Sequence, residues 1–200
     1  MRTLPTCAAI SFLAIAASAS ANVYVFDNAV SYTSFCNDLS IVGQNQGFNA
    51  FSGSFASISG GVGDYAWTAT ANSGVFVDPN SVLRTRVTSQ TLSFSFASSN
   101  VYSVGGYFFN TDVAGTFHNG TMKIHLSDGT NFIRTVSNST TFSGFISDGV
   151  SITSLEISHA GNSGSSYFVS SSGINVGVVP APGALAFIGL AGIVARRRRA

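Results

Sequence analysis

The chain has 200 residues, with nine Lys and Arg against eight Asp and Glu. Charged residues make up 8% of it, against about a quarter in ordinary soluble domains. Lys123 is the single lysine and Glu156 the single glutamate. Exposed helices need such residues on their wet faces, so the composition argues against a helical bundle. Aromatic content of 12%, including 17 Phe, argues against wholesale disorder.

The net charge of +1 hides an uneven distribution. Arg2 and Arg196 to Arg199 lie at the ends, leaving Arg84, Arg86, Lys123 and Arg134 in the middle with all eight acids. Residues 22–178 therefore carry about −4. A body this poor in cations cannot neutralise several phosphates, which excludes nucleic acid as its partner.

Residues 1–21 have the pattern of a secretory signal. Arg2 gives a thin positive start, and an apolar run from Cys7 to Ala17 is broken only by Ser11. Ala19-Ser20-Ala21 then supplies the small-x-small pattern that signal peptidase accepts. The cut is expected after Ala21, with Ala19 as the second choice. The alternative is an N-terminal membrane anchor, for which the run is short. Cleavage removes Cys7 and leaves Cys36 alone, so core packing must hold the fold, with Cys36 as a small buried apolar residue.

Residues 22–178 form the expected exported domain, long enough for one core. They hold 29 Ser and 14 Thr, yet these alternate with large apolar residues. In Thr91 to Ala97, Leu92, Phe94 and Phe96 share one face, the pattern of a half-buried strand. Between Phe51 and Ile58 the apolar parity switches after Phe55, which predicts a bulge near Gly53 to Ala56. Met122 to Val136 reads as a hairpin around Asp128-Gly129, and a two-residue loop there would set Lys123 opposite Arg134. Leu155 and Ile157 mark a further strand, and Ile174, Val176 and Val178 a last one. Turn signals at Gly60-Gly61, Asn72-Ser73-Gly74, Asp78-Pro79-Asn80, Gly105-Gly106 and Asp148-Gly149 help punctuate the chain. Together they predict an all-β fold, an antiparallel β-sandwich or jelly roll.

The end of the chain is a second address. Val179-Pro180-Ala181-Pro182-Gly183 precedes an uncharged stretch, with a short hydrophobic membrane helix expected over residues 183–195, and then Arg196, Arg197, Arg198 and Arg199. Thirteen residues of helix span about 20 Å, short of the ~30 Å hydrocarbon core. The arginines should stay on the cytoplasmic side and stop translocation. This order of elements resembles the PEP-CTERM sorting tail of Gram-negative bacteria over residues 179–200, with Ala181 where the usual motif has Glu. A similar tail segment occurs on some secreted ice-binding proteins. The resemblance implies an exosortase-like membrane processing enzyme as partner, removal of the tail, and delivery to the cell surface or extracellular matrix. The alternative is an ordinary single-pass anchor. The stretch from Val104 to Val178 also resembles the secreted jelly-roll bodies often attached to such tails, through Gly106 to Phe109, Ser127 to Thr130, Gly144 to Asp148 and Ile152 to Leu155. Those bodies often carry Asp-Asn before the last strand, where this chain has Ser172-Gly173.

Chemistry is sparse. Asp112, His118, His125 and Asp128 lack metal-site spacing, and the bland reading makes the aspartates turn residues. No Gly-x-Ser-x-Gly elbow is present. No catalytic residue and no cofactor is expected. A structural calcium on loop aspartates such as Asp27, Asp38, Asp78 or Asp148 has no spacing that assigns it. Tyr65 and Trp67 would stack on sugar rings if exposed on one strand face, or pack in the core. The expectation is a non-enzymatic, exported structural or adhesive protein, touching extracellular polysaccharide. The alternatives are a carbohydrate-binding module for such a polysaccharide and, more weakly, a secreted hydrolase.

Overall fold

The structure is a computed structural model, and it describes residues 22–161 and 166–180. The expected signal, the membrane helix, the arginine cluster and the sorting motif from Ala181 onward lie outside these residues. Among the described residues, no helix is long and apolar enough to cross a membrane.

Thirteen antiparallel strands and one helix follow in order: β1 (Val23–Phe26), α1 (Ala29–Asp38), β2 (Val42–Gln46), β3 (Gly53–Gly60), β4 (Trp67–Val77), β5 (Leu83–Thr85), β6 (Leu92–Phe96), β7 (Val101–Thr111), β8 (Phe117–His118), β9 (Gly120–Leu126), β10 (Asn131–Val136), β11 (Phe142–Ser147), β12 (Ser154–His159) and β13 (Phe168–Val178). A short 3-10 turn over Gly63–Tyr65 precedes β4. Hydrogen bonds run β1-β11-β7-β13-β5-β4-β6-β12-β9-β10. Phe132 of β10 meets Phe145 of β11, with ring centroids 5.7 Å apart, although these strands lie near opposite ends of that path. The sheet is therefore curled on itself, and its apolar faces enclose one main core. The all-β expectation holds at this level.

Two long strands change partners along one edge. On β4, Trp67 to Thr70 pair with β6, while Val75 to Val77 pair with β5. β3 follows the other edge of β4 and shifts register between Phe55 and Ser57, where the parity slip in the sequence predicts a bulge. Asn72-Ser73-Gly74 thus lies inside β4 and is no chain reversal. A Cβ at Gly74, whose φ is 87°, would stand 2.4 Å from the Phe55 carbonyl oxygen. On β13, Ser170 and Ser171 pair with β5, while Ile174 to Val178 pair with β2. Across from them on β7, Ser171 faces Phe108 and Ile174 faces Gly106, so Ser172 and Gly173 oppose Tyr107 alone in a bulge. Ser172-Gly173 is therefore within the last strand, not before it. Gly105-Gly106, which reads as a turn in sequence, is buried in the middle of β7.

The β9–β10 hairpin exists with a different register. Leu126 N donates to the Thr130 carbonyl at 3.0 Å, closing a three-residue loop in which Gly129 has φ 92°. Lys123 then faces Ile133, and Arg134 faces Met122. The odd loop residue separates the two cations that a two-residue turn would have opposed. Leu92, Phe94, Phe96, Leu155, Ile157, Ile174, Val176 and Val178 are all buried, as their alternation predicts.

Helix α1 is absent from the sequence reading. Asn28 caps it, accepting from Val30 N at 2.8 Å and Ser31 N at 3.2 Å. Tyr32 and Cys36, one turn apart, bury themselves against β11 in a small second cluster with Ile41, Phe142 and Ile146. Burial pushes the Cys36 thiol pKa up.

Gly106→Ala is expected to lower stability by about 1–3 kcal/mol, because its Cβ would stand 2.5 Å from the Gly173 oxygen and 2.8 Å from Phe108. Urea unfolding at unchanged m-value checks this; an unchanged midpoint would contradict it.

Candidate functional site

Of the two readings of Tyr65 and Trp67, sugar stacking or core packing, the structure has the second. Trp67 is 2% exposed and packs edge-on against Phe48 and Phe94, at 5.6 and 6.0 Å. Tyr65 ends the 3-10 turn and packs partly buried against the same core. The indole carries the largest apolar surface in this part of the chain, and burial between the layers claims it.

The acid and histidine candidates also separate. Asp128 Oδ1 accepts from Thr130 N at 2.8 Å, a turn role. His125 sits on β9, in register with Glu156 on β12 and Asn131 on β10. Asp112 and His118 do meet, at 3.3 Å. Asp112 Oδ1 also accepts from Ala114 N and Thr116 N, both at 2.9 Å. The Thr116 N–H, then His118 and the Ala114 N–H, hold this carboxyl below its ordinary value of 3.8. His118 stacks on Tyr167 at 4.4 Å, which leaves the pair as a clasp on the β7–β8 loop. Of the calcium candidates, Asp38 ends α1, and Asp78 Oδ1 accepts from Asn80 N and Val82 N. Among the described residues, no three His, Cys, Asp or Glu side chains come together as metal ligands.

Two of the hollows among the described residues differ in chemistry, and a third of about 310 Å³ lies over the buried Trp67 edge beside Thr68 and Ser95. The larger, about 630 Å³, is open and lined by Thr70, Asn72, Gln90, Ser93 and Glu156, without an aromatic ring. The second, about 240 Å³, combines rings with neutral polar groups. Its floor is the outer face of β7, β11 and β13, its wall is α1, and its rim is β2. Tyr107 is half-buried there and meets Phe142 edge-on at 5.6 Å. Tyr32 closes the inner side, donating its hydroxyl to Asn175 Oδ1 at 3.1 Å. Asn175 Nδ2 in turn donates to Asn45 Oδ1 at 3.2 Å, and Gln46 Nε2 donates to Gln44 Oε1 at 3.2 Å. These bonds leave the Asn45 amide nitrogen to donate and the Gln46 carbonyl to accept. Gly106 and Gly173 contribute backbone to the lining beside Tyr107.

Among the described residues, no charged side chain lines this cleft. A half-buried ring beside fixed amides offers an apolar face and a few oriented hydrogen bonds, the general makeup of small-ligand sites. The volume lies below the ~300 Å³ lower range of drug-sized pockets. Sequence reasoning passed over these residues because Asn45, Tyr107 and Asn175 lie far apart in the chain and none forms a motif.

No family model and no curated protein sequence matches the chain. Among solved structures, it is similar to a CBM35 from Cellvibrio japonicus Abf62, at 12% identity and TM-score 0.33, covering 68% of this chain and 92% of that one. It is also similar to a CBM29-2 mutant of the family 29 carbohydrate-binding modules, at 12% identity and TM-score 0.31, covering 79% and 92%. The cleft, not this distant likeness, carries the functional reading.

Acid titration checks the Asp112 clasp. A carboxyl whose folded pKa is lowered contributes stability above its ordinary value and loses it as pH falls through the folded one. The Tm advantage of the native chain over Asp112→Asn is therefore expected to shrink as pH falls toward the ordinary carboxyl value of 3.8 and on through the lowered folded one. A constant difference would show that the carboxylate charge plays no part.

Proposed function

We propose that the chain is an exported, non-catalytic surface protein whose body binds a neutral glycan of the extracellular polysaccharide in the Tyr107 cleft. The observation that carries this reading is the pairing of a half-buried ring with uncharged amides from β2 and β13 in one cleft. A pyranose presents an apolar C–H face to a ring and hydroxyls to amides. A uronate would find no cation there. The body's net charge, about −4, further disfavours acidic chains.

The adhesive role and the export route belong to the same proposal. The leader takes the chain across the inner membrane of a Gram-negative bacterium, with Ala19 or Ala21 at the cut. The tail from Val179 holds a precursor in the membrane until an exosortase-like enzyme processes it. The resemblance of residues 179–200 to PEP-CTERM tails supports this part. A surface-held domain with one shallow sugar site attaches a cell to its matrix by many weak contacts rather than one strong one.

The test is a binding screen of the exported protein against neutral and uronate-containing polysaccharides. Neutral chains are expected to bind, and Tyr107→Ala to weaken binding about tenfold or more, a loss of about 1.4 kcal/mol. Trp67, the single tryptophan, reports that the core stays intact. Unchanged affinity in Tyr107→Ala with native fluorescence would remove the cleft as the site.

A further inference from the structure

The first described residue is held by one carboxylate. Asn22 N donates to Asp148 Oδ1 at 2.8 Å, and the Asn22 carbonyl accepts from Asp148 N at 3.1 Å. This extends the β1–β11 ladder by one pair beyond Val23 and Ser147. Asn22 Nδ2 and the Tyr24 hydroxyl both donate to Asp148 Oδ2 at 3.4 Å. Among the described residues, no Lys, Arg or His pairs with this carboxylate. Three donors from one end of the body converge on this anion.

We propose that Asp148 is the seat of the mature N-terminus, where the α-ammonium of Asn22 sits once the leader is removed after Ala21. The inference rests on the export reading above. Hydrolysis breaks the bond between the Ala21 carbonyl carbon and the Asn22 nitrogen. The hydroxyl of water stays on Ala21, which leaves with the leader as a carboxylate. The nitrogen takes the hydrogen of water and a further proton from solvent. A neutral N–H donor becomes a cationic one at the same atom, already 2.8 Å from its acceptor. Charge assistance then strengthens a bond that needs no backbone movement. A cut after Ala19 would leave Ser20 and Ala21 ahead, keep the Asn22 nitrogen an amide, and carry the charge away from the carboxylate. Of the two small-residue positions, the geometry thus selects Ala21.

The effect reaches the glycan cleft. Tyr24 packs on Phe35 of α1 at 4.8 Å, and β1 runs directly into that helix. α1 is the wall of the cleft. Seating the new terminus fixes the strand that carries the wall.

The test uses the full chain expressed with its leader in a Gram-negative host. N-terminal sequencing of the exported protein is expected to begin at Asn22. Asp148→Asn keeps a neutral acceptor and removes the charge. It is expected to lower the Tm of the processed protein by about 1–3 °C. In an uncut precursor carrying Ala19→Tyr and Ala21→Tyr, the same substitution should cost less. A chain beginning at Ser20, or equal losses in both forms, overturns the seat alone. A chain still beginning at Met1 overturns the export reading and the seat with it.

Discussion

The close approach of two backbones, at Gly106 of β7 and Gly173 of β13, sets the shape of everything near the cleft. A Cβ on Gly106 would press on the Gly173 carbonyl. With hydrogen in its place, β13 can bulge opposite Tyr107 and stay paired to β7 on both sides of the bulge. At the same point the other edge of β13 passes from β5 to β2. A bulge inserts one residue, bends its strand and sharpens the twist. Here the bend lets one strand belong to two directions of pairing, which a regular ladder does not allow.

β4 does the same on the far side of β5, passing from β6 to β5 across Ala71 to Gly74. Three-residue β5 is the hinge piece between the two long strands. A sandwich normally separates its sheets. In this chain the bridge makes one continuous curled sheet, with Arg84 held between the Phe76 and Phe168 rings at the junction and donating to the Asp112 and Val113 carbonyls. One of only four cations in the body is thereby committed to holding the corner.

The cleft follows from these constraints. Gly105 and Gly144 face each other across β7 and β11, and their missing side chains let the Phe142 and Tyr32 rings lie close to the sheet. Helix α1 docks on that glycine-floored face, and the space left beside it opens onto Tyr107. Its polar groups are held in a chain, from the Tyr32 hydroxyl to Asn175 to Asn45. Fixed amides cost a ligand less ordering than free ones. The absence of charge in the lining favours a ligand that offers hydroxyls and an apolar face. The Asp148 seat acts on the same helix from its other end, through Tyr24 and Phe35.

The sequence by itself determined the strands with clean alternation, such as β6, β9, β12 and the end of β13, because Ser or Thr alternating with Leu, Phe and Ile can satisfy only a two-faced element. Leu92, Phe94 and Phe96, or Leu155 and Ile157, needed no tertiary information to be assigned inward. Glycine was ambiguous: the same residue permits a reversal and a close backbone approach, so Gly105-Gly106 and Asn72 to Gly74 looked like turns and are strand interiors. The helix was hidden because ten residues with few charges give no amphipathic signal beyond the Asn28 cap and the Tyr32 to Cys36 spacing. Only the tertiary structure decided that Trp67 is core and Tyr107 faces the cleft, since a ring's exposure depends on which layer covers it. The site itself joins Asn45, Tyr107 and Asn175, whose proximity is created by pairing β2 and β7 to opposite edges of β13, a contact that no local pattern encodes.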